Sequence, residues 1–206
     1  QPQMRQVTDF ITTYGMKTLF LKPTEMVRGS KKAKELEEDI TSYLNVPISK
    51  ANGHWPVPSN TARRANGYTA LAWKHVVVKA KTGVNLNKIA DITDLTNAVE
   101  AAILALQAGK RQWSLSHIVR HYTDSGDHGG AIITWLHEMG HQVQFQAMRM
   151  EIPTPGLNES ITTYSMQDTM EWHAEHFAAW ALNRAMLETH YPAIVAYFDE
   201  LMGELL

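Results

Sequence analysis

Residues 131–141 read Ala-Ile-Ile-Thr-Trp-Leu-His-Glu-Met-Gly-His, and they lie in a segment, residues 131 to about 150, whose apolar residues recur with the period of a helix. Residues four apart on a helix share one face and stand about 6 Å apart along its axis, so His137 and His141 would present two imidazoles side by side. Gly140 between them lets a neighbouring backbone come close. The stretch therefore predicts a helix with two adjacent imidazoles on one face, packed closely against another segment.

The composition is that of an ordinary folded domain. Of 206 residues, 44% are hydrophobic and 19% are charged, which excludes a collagen-like, coiled-coil or generally disordered chain. Nineteen Lys and Arg face 21 Asp and Glu, and the net charge of -2 gives no basic field, so we expect no nucleic-acid partner. No apolar run reaches the roughly 18 residues of a membrane span, and none is expected.

The cysteine count limits the metal chemistry. Because the chain has no cysteine, any transition metal must be held by histidine and carboxylate side chains. The chain also opens with Gln1 rather than Met, so we expect an excised domain or processed product of a larger polypeptide.

Periodicity predicts a mainly helical α+β fold. Five helices are predicted besides the one described above: residues 7–14, ended by Gly15; 31–44, capped by Ser30; 91–108; 169–190; and a terminal helix after Pro192. Residues 113–123 alternate, which predicts the edge strand of a small sheet over the helix of His137, with His117 and His121 on one strand face. Residues 52–67 are interpreted as a long loop, and residues 68–81 as either a helix end or a strand.

This organisation suggests two parts. Residues 1–60 are interpreted as a helical N-terminal extension or lobe, and residues 61–206 as the domain that carries the chemistry.

The His137-Glu138-x-x-His141 spacing is typical of a zinc site on a helix. The two imidazoles can share one ion, and Glu138 is placed to act as the general base for a water molecule at that ion. Such a catalytic site needs a third protein ligand and keeps one position open. The sequence therefore predicts Zn²⁺ as cofactor and a hydrolytic reaction.

Two carboxylates are candidates for the third ligand. The extended metzincin pattern would need Gly and His where the chain has Gln144 and Ala147, so that class is excluded. Glu159 follows His141 by 18 residues, whereas Glu171 opens the predicted helix 169–190. Glu171 and Glu175 fall on the alanine-rich apolar stripe of that helix, and a carboxylate turned inward needs a metal or donor to compensate its burial.

A resemblance extends this interpretation over roughly residues 135–180. Thr163-Tyr164-Ser165 followed by Glu171-x-x-Ala-Glu175-x-Phe resembles the anthrax lethal factor catalytic domain and the related Pro-Pro endopeptidases, which are gluzincin-type zinc proteases. The resemblance implies a zincin-like fold, Glu171 as the third ligand, Glu175 as its supporting carboxylate and Tyr164 as a catalytic group at the metal.

The minority alternative for the ligand rests on a second resemblance. Asn158-Glu159-Ser-Ile resembles the Asn-Glu element with which thermolysin-like and aminopeptidase families supply their third ligand. If Glu171 binds the metal instead, Glu159 is expected at a helix start or on the surface.

These features together predict a zinc metalloendopeptidase whose partner is a peptide or protein substrate. Glu138 would take a proton from water and deliver it to the leaving amine, and Tyr164 would donate to the oxyanion. The strand at 113–123 would pair with the peptide, with His117 and His121 as substrate-binding candidates. His173 and His176 are expected at the rim of their helix.

Two alternatives stay open. One is a structural or binding module that uses the metal for stability, such as a degenerate protease within a larger toxin or virion polypeptide. The other is a zinc amidase that acts on a non-peptide substrate.

Overall fold

The computed structural model describes residues 2–27, 29–45, 65–87, 92–149 and 159–206. Seven α-helices and three strands follow one another in these ranges: α1 (Pro2–Tyr14), β1 (Lys17–Leu21), α2 (Lys31–Leu44), β2 (Gly67–Ala70), β3 (Trp73–Lys79), α3 (Thr93–Gln107), α4 (Leu115–Tyr122), α5 (Gly126–Gln146), α6 (Thr169–His190) and α7 (Pro192–Leu205). The mainly helical α+β class predicted from the sequence is confirmed.

Helix α5, which carries His137 and His141, lies at the centre of the fold. Every residue from Gly129 to Phe145 is buried, because α6, α4 and the sheet all pack against it. A helix that is enclosed on all sides needs apolar or small residues around its whole circumference, and polar residues on it must find partners inside the protein. Among the buried polar residues of this stretch are His137, Glu138 and His141.

Helix α6 approaches the backbone of α5 very closely at Gly140. A Cβ atom at Gly140 would lie 2.8 Å from the Cα atom of Ala174 and 2.9 Å from the Cβ atom of Phe177. Only glycine permits this approach, as expected from the sequence. The contact brings the first turns of α6 next to the two histidines.

The small sheet has the strand order β1-β3-β2. β1 is parallel to β3, with Leu19 opposite Val77, and β2 is antiparallel to β3. The segment interpreted as a helix end or a strand is thus the β2–β3 hairpin. Because β1 precedes residue 60 and β3 follows it, one sheet contains strands from both predicted parts of the chain, and the domain boundary itself stays a prediction.

The strand predicted for residues 113–123 is wrong, because this segment contains helix α4. The side chain of Ser114 accepts a hydrogen bond of 3.1 Å from the backbone N–H of His117, which is an N-cap, and Leu115, Ile118 and Val119 form the buried stripe of the helix. The alternation in the sequence is real, but the same apolar residues also fit the i, i+3, i+4 spacing of a helix. The sheet therefore has no strand in this segment.

The other predicted helices are confirmed, with α2 at the predicted bounds and Ser30 accepting from the N–H of Ala33. α5 begins at Gly126, before the predicted start at residue 131, and ends at Gln146 rather than near residue 150. The predicted loop at residues 52–67 lies almost entirely outside the described residues. None of the helices in the described ranges is long and apolar enough to span a bilayer.

Candidate metal centre and adjoining cavity

Three side chains of α5 form the core of the candidate site. His137, Glu138 and His141 are each 7% exposed, and one potential ligand atom from each lies within 4.8 Å of the others. The helix fixes them, because i and i+4 histidines share a face and Glu138 lies on the same turn. This buried group could hold a metal ion.

The carboxylate of Glu171 lies against both imidazoles. Its Oε2 atom is 2.8 Å from Nε2 of His137, and its Oε1 atom is 3.4 Å from Nε2 of His141. The position follows from the start of α6, where the side chain of Asp168 accepts from the N–H of Glu171 and caps the helix. Burial alone would raise the pKa of Glu171, but the hydrogen bonds from His137 and His141 hold it well below its usual range.

Glu175 lies one turn further along α6 and connects three segments. Its Oε2 atom accepts from Nδ1–H of His137 at 3.0 Å, and its Oε1 atom accepts from the backbone N–H of Leu115 and the hydroxyl of Thr162 at 2.7 and 3.2 Å. The imidazole of His137 is thereby oriented with Nε2 toward Glu171. Burial would lower the pKa of His137, but Glu171 and Glu175 raise it to about 10.

His141 differs from His137 in the hydrogen bonding of its Nδ1 atom. Its Nδ1 atom is buried and has no hydrogen-bond partner among the described residues. The chain thus holds one imidazole through both nitrogens and the other through Nε2 alone.

Glu138 faces a cavity beside the sheet. Burial raises the pKa of its carboxyl group above the usual value. The start of β2 passes very close, since a Cβ atom at Gly67 would lie 3.1 Å from Cγ of Glu138 and 2.8 Å from Cγ2 of Thr134. Gly67 is a site residue that the sequence interpretation missed, because a single glycine in a turn-rich segment gives no signal of what it approaches.

Tyr164 lies beside His137, with 5.5 Å between the ring centroids. The backbone holds it there, because the N–H of Tyr164 donates to the carbonyl of Trp113 at 2.8 Å and opens a 3₁₀ turn at Tyr164–Met166. Burial raises the pKa of Tyr164 well above the usual range, and the neighbouring, hydrogen-bonded Glu171 adds to this shift. The phenol therefore stays neutral and able to donate.

The cavity next to these groups has a volume of about 260 Å³. Four of the candidate site residues line the cavity: His137, Glu138, Tyr164 and Glu175. The other lining residues lie at or before the start of β2, at or before the start of α4, and on α5: Ala65, Asn66, Gly67, Trp113, Ser114, Ser116, Ile133 and Thr134. Trp113 is 48% exposed and forms part of the rim. A solvent-connected cavity thus adjoins the buried histidines and Glu138.

Three further residues predicted for the site, Glu159, His117 and His121, are not placed at it. Glu159, the alternative third ligand, is half-buried and makes no hydrogen bond or ion pair with His137 or His141 in the described part of the chain. His117 and His121 lie on α4 rather than on a strand, and neither lines the cavity.

His173 and His176 do not lie at a rim, as the sequence interpretation expected, because both are completely buried. Nδ1–H of His173 donates to the carbonyl of Gly140 at 3.0 Å, and Nδ1–H of His176 donates to the carbonyl of Trp172 at 2.7 Å. Burial lowers their pKa values to about 3 and about 4, so both are neutral. The helix packs on more than one face, which the single alanine stripe did not indicate.

Comparison with known proteins identifies no relative: no protein-family model, curated protein or solved structure matches the chain.

Proposed function

We propose that this protein is a zinc-dependent metalloendopeptidase of the gluzincin type. The observation that carries the proposal is the convergence of two buried imidazole Nε2 atoms on one half-buried carboxylate, at 2.8 and 3.4 Å, beside a cavity that Glu138 lines. Imidazole nitrogen and carboxylate oxygen are donor types that Zn²⁺ takes, and two histidines with one glutamate leave a position open.

The proposed ligands are His137, His141 and Glu171. Glu171 is preferred to Glu138 because its oxygens contact both Nε2 atoms, whereas Glu138 lies on the wall of the cavity. Glu171 is preferred to Glu159 for the same reason. Glu175 acts through His137, whose ring it orients, and does not itself hold the ion. Bound Zn²⁺ would act as a Lewis acid on a water molecule and on the scissile carbonyl.

Glu138 is the proposed general base. Its burial raises its pKa, and a base whose pKa is moved toward neutrality transfers protons more effectively near pH 7. Glu138 takes a proton from the attacking water and gives it to the leaving amine nitrogen, so the carboxylate is regenerated at the end of the cycle. Gly67 has no Cβ atom to crowd the Glu138 side chain, so the carboxylate can occupy this position.

Tyr164 is the proposed donor to the tetrahedral oxyanion. Its phenol is neutral and lies next to the imidazole of His137, on the wall of the cavity. Loss of one such donor costs about 2.7 to 4 kcal/mol of transition-state stabilisation.

An extended peptide is the proposed substrate, and β2 is the proposed docking edge. β2 is an edge strand of the sheet, and its first residue, Gly67, lines the cavity together with the preceding Ala65 and Asn66. An unpaired strand edge can add a peptide through backbone hydrogen bonds. This assignment replaces the segment 113–123, which forms a helix.

The decisive experiment is Glu138→Gln, assayed for zinc content and for cleavage of a peptide library. The variant is expected to keep its zinc, because Glu138 is not a proposed ligand, and to lose cleavage by about 10²- to 10⁴-fold, the usual contribution of a positioned general base. Glu188→Gln is the matched control, since Glu188 is exposed and its one ion pair among the described residues is with Arg184. Undiminished cleavage by Glu138→Gln would contradict the mechanism.

The same assay separates the alternatives. Wild-type protein that holds zinc but cleaves no peptide would favour a structural or binding module. Cleavage confined to non-peptide amides would favour an amidase.

A further inference from the structure

Helix α4 carries a second pair of histidines four residues apart, His117 and His121. Their ring centroids are 4.3 Å apart, with an angle of 44° between the rings. Leu115, Ile118 and Val119 form the buried stripe of this helix, so the histidine pair lies on the side away from the core. His117 is half-buried and His121 is exposed.

Neither imidazole has another partner in the described part of the chain. No hydrogen bond or ion pair joins either ring to a described residue, and the nearest further ring is that of Tyr122, 6.0 Å from His117. Partial burial lowers the pKa of His117, and the neighbouring His121 lowers it further, which favours the neutral form of His117, the form in which imidazole binds metals. Two unpartnered imidazoles, held one helical turn apart, are thus left available.

We propose that His117 and His121 form a second metal site, which takes a divalent transition-metal ion at the surface of α4 and completes its coordination with water. The ligand set is imidazole only, which suits Cu²⁺, Zn²⁺ and Ni²⁺ and not Ca²⁺ or Mg²⁺, whose preferred ligands are oxygens. Affinity should follow the usual order, with Cu²⁺ bound more tightly than Zn²⁺ or Ni²⁺.

Binding at this pair has a structural consequence. α4 has eight residues, which is short for a helix. An ion held by His117 and His121 would connect its two successive turns. The first residue of the helix, Leu115, donates its N–H to Glu175, which in turn holds His137. An ion that binds only the folded helix therefore raises the melting temperature, and it does so without contact with the cavity.

The test is a Cu²⁺ titration of a variant that combines His141→Asn with Glu171→Ala, monitored by calorimetry and by electron paramagnetic resonance. This variant lacks two of the three proposed ligands of the buried site and its histidine pair, so the surface pair can be observed alone, and failure of one site does not imply failure of the other. We expect one equivalent of Cu²⁺ with a nitrogen-coordinated spectrum and a higher melting temperature. Adding His117→Asn and His121→Asn should abolish this equivalent and the shift in melting temperature.

A control variant distinguishes the pair from scattered surface histidines. His190→Asn removes a single histidine on another helix, whose Nδ1 atom lies 2.7 Å from Nε2 of Gln107, and it should leave the Cu²⁺ equivalent intact. Retention of the equivalent after loss of His117 and His121, or its absence before that loss, would overturn the proposal. Circular dichroism of each variant checks that the fold is retained.

Discussion

The protein contains two histidine pairs with the same spacing and different surroundings. In α5, the rings of His137 and His141 are 4.9 Å apart and nearly perpendicular, at 84°. In α4, the rings of His117 and His121 are 4.3 Å apart. The first pair is buried and meets two carboxylates of α6, whereas the second faces outward and meets none among the described residues.

This difference shows what a four-residue spacing can and cannot specify. The spacing alone brings two imidazoles together. The proposed third ligand comes from α6, the proposed general base is the neighbouring residue Glu138, and the enclosing core excludes water. Since charge interactions strengthen as water is excluded, two imidazoles at the same spacing are proposed to support catalysis in α5 and only metal binding in α4.

The largest expected effect comes from removing the carboxylate that distinguishes the buried pair. Glu171→Ala should lower zinc affinity by more than about 100-fold, because loss of a residue that only supports a ligand already costs about 10- to 100-fold. The dissociation constant, measured by competition with a chelator, checks this.

Glu159→Ala is the control for this measurement. It should leave zinc affinity unchanged, since Glu159 contacts neither histidine in the described residues. Loss of zinc in Glu159→Ala alone would restore the alternative ligand.

The residues of the buried site were predictable because they lie on regular helices. Helical spacing predicted that His137, Glu138 and His141 lie close together on one helix. The alanine stripe of α6 predicted that Glu171 and Glu175 point inward. Gly140 indicated the close contact that joins the two helices. Each of these predictions depends on local periodicity, which the chain expresses directly.

The rest depends on contacts distant in sequence. Residues 115–122 satisfy both alternation and helical spacing, and the choice is made by the Ser114 cap and by packing on α5. Gly67 approaches Glu138 because the β2–β3 hairpin packs on α5. The burial of His173 and His176 depends on how α6 packs on more than one face. A pattern read along one segment does not contain this information.

Burial of imidazole also predicts a pH dependence, centred on His176. Its Nε2 atom accepts from the N–H of Ile161 at 3.2 Å, so the folded protein requires the neutral ring, and burial lowers its pKa to about 4. The unfolded chain, with a histidine pKa of about 6.5, binds the proton more readily. The contribution of neutral His176 to the free energy of unfolding is therefore present above about pH 6.5. It is lost as the pH falls to about 4, which lowers the free energy of unfolding by about 3 kcal/mol.

Chemical denaturation of wild type and His176→Gln at pH 7 and pH 4 measures this contribution. The unfolding free energy of the variant should fall by about 3 kcal/mol less than that of the wild type over this range, because the titrating group is gone. Equal falls in the two proteins would show that His176 is not held neutral. The comparison uses the change in unfolding free energy between pH 7 and pH 4, so a loss of stability that is equal at both pH values does not affect it.

A smaller effect is expected at the contact that brings α6 to the buried pair. Gly140→Ala places a Cβ atom 2.8 Å from the Cα atom of Ala174, and relieving this overlap should cost about 1–3 kcal/mol of unfolding free energy. Because the helices must separate, Glu171 should also move from the imidazoles and zinc affinity should fall. Thermal denaturation and zinc titration measure the two effects.

Gly203→Ala in α7 is the matched control, since nothing lies within 4 Å of a Cβ atom there. The extra methyl group should stabilise this helix by up to about 1 kcal/mol, the usual gain of alanine over glycine. A loss of stability at Gly203 comparable with that at Gly140 would show that the α5–α6 contact is not special.

The smallest effect is expected at the surface pair, and it tests whether these histidines bind substrate, as the sequence alone predicted. His117→Asn combined with His121→Asn should change kcat/KM for a peptide substrate by less than about two-fold, because neither ring lines the cavity. If KM instead rises several-fold while kcat is unchanged, the pair contributes binding energy equally to substrate and transition state. The peptide would then extend past the start of α4, and the second histidine pair would belong to the substrate path and not only to a separate metal site.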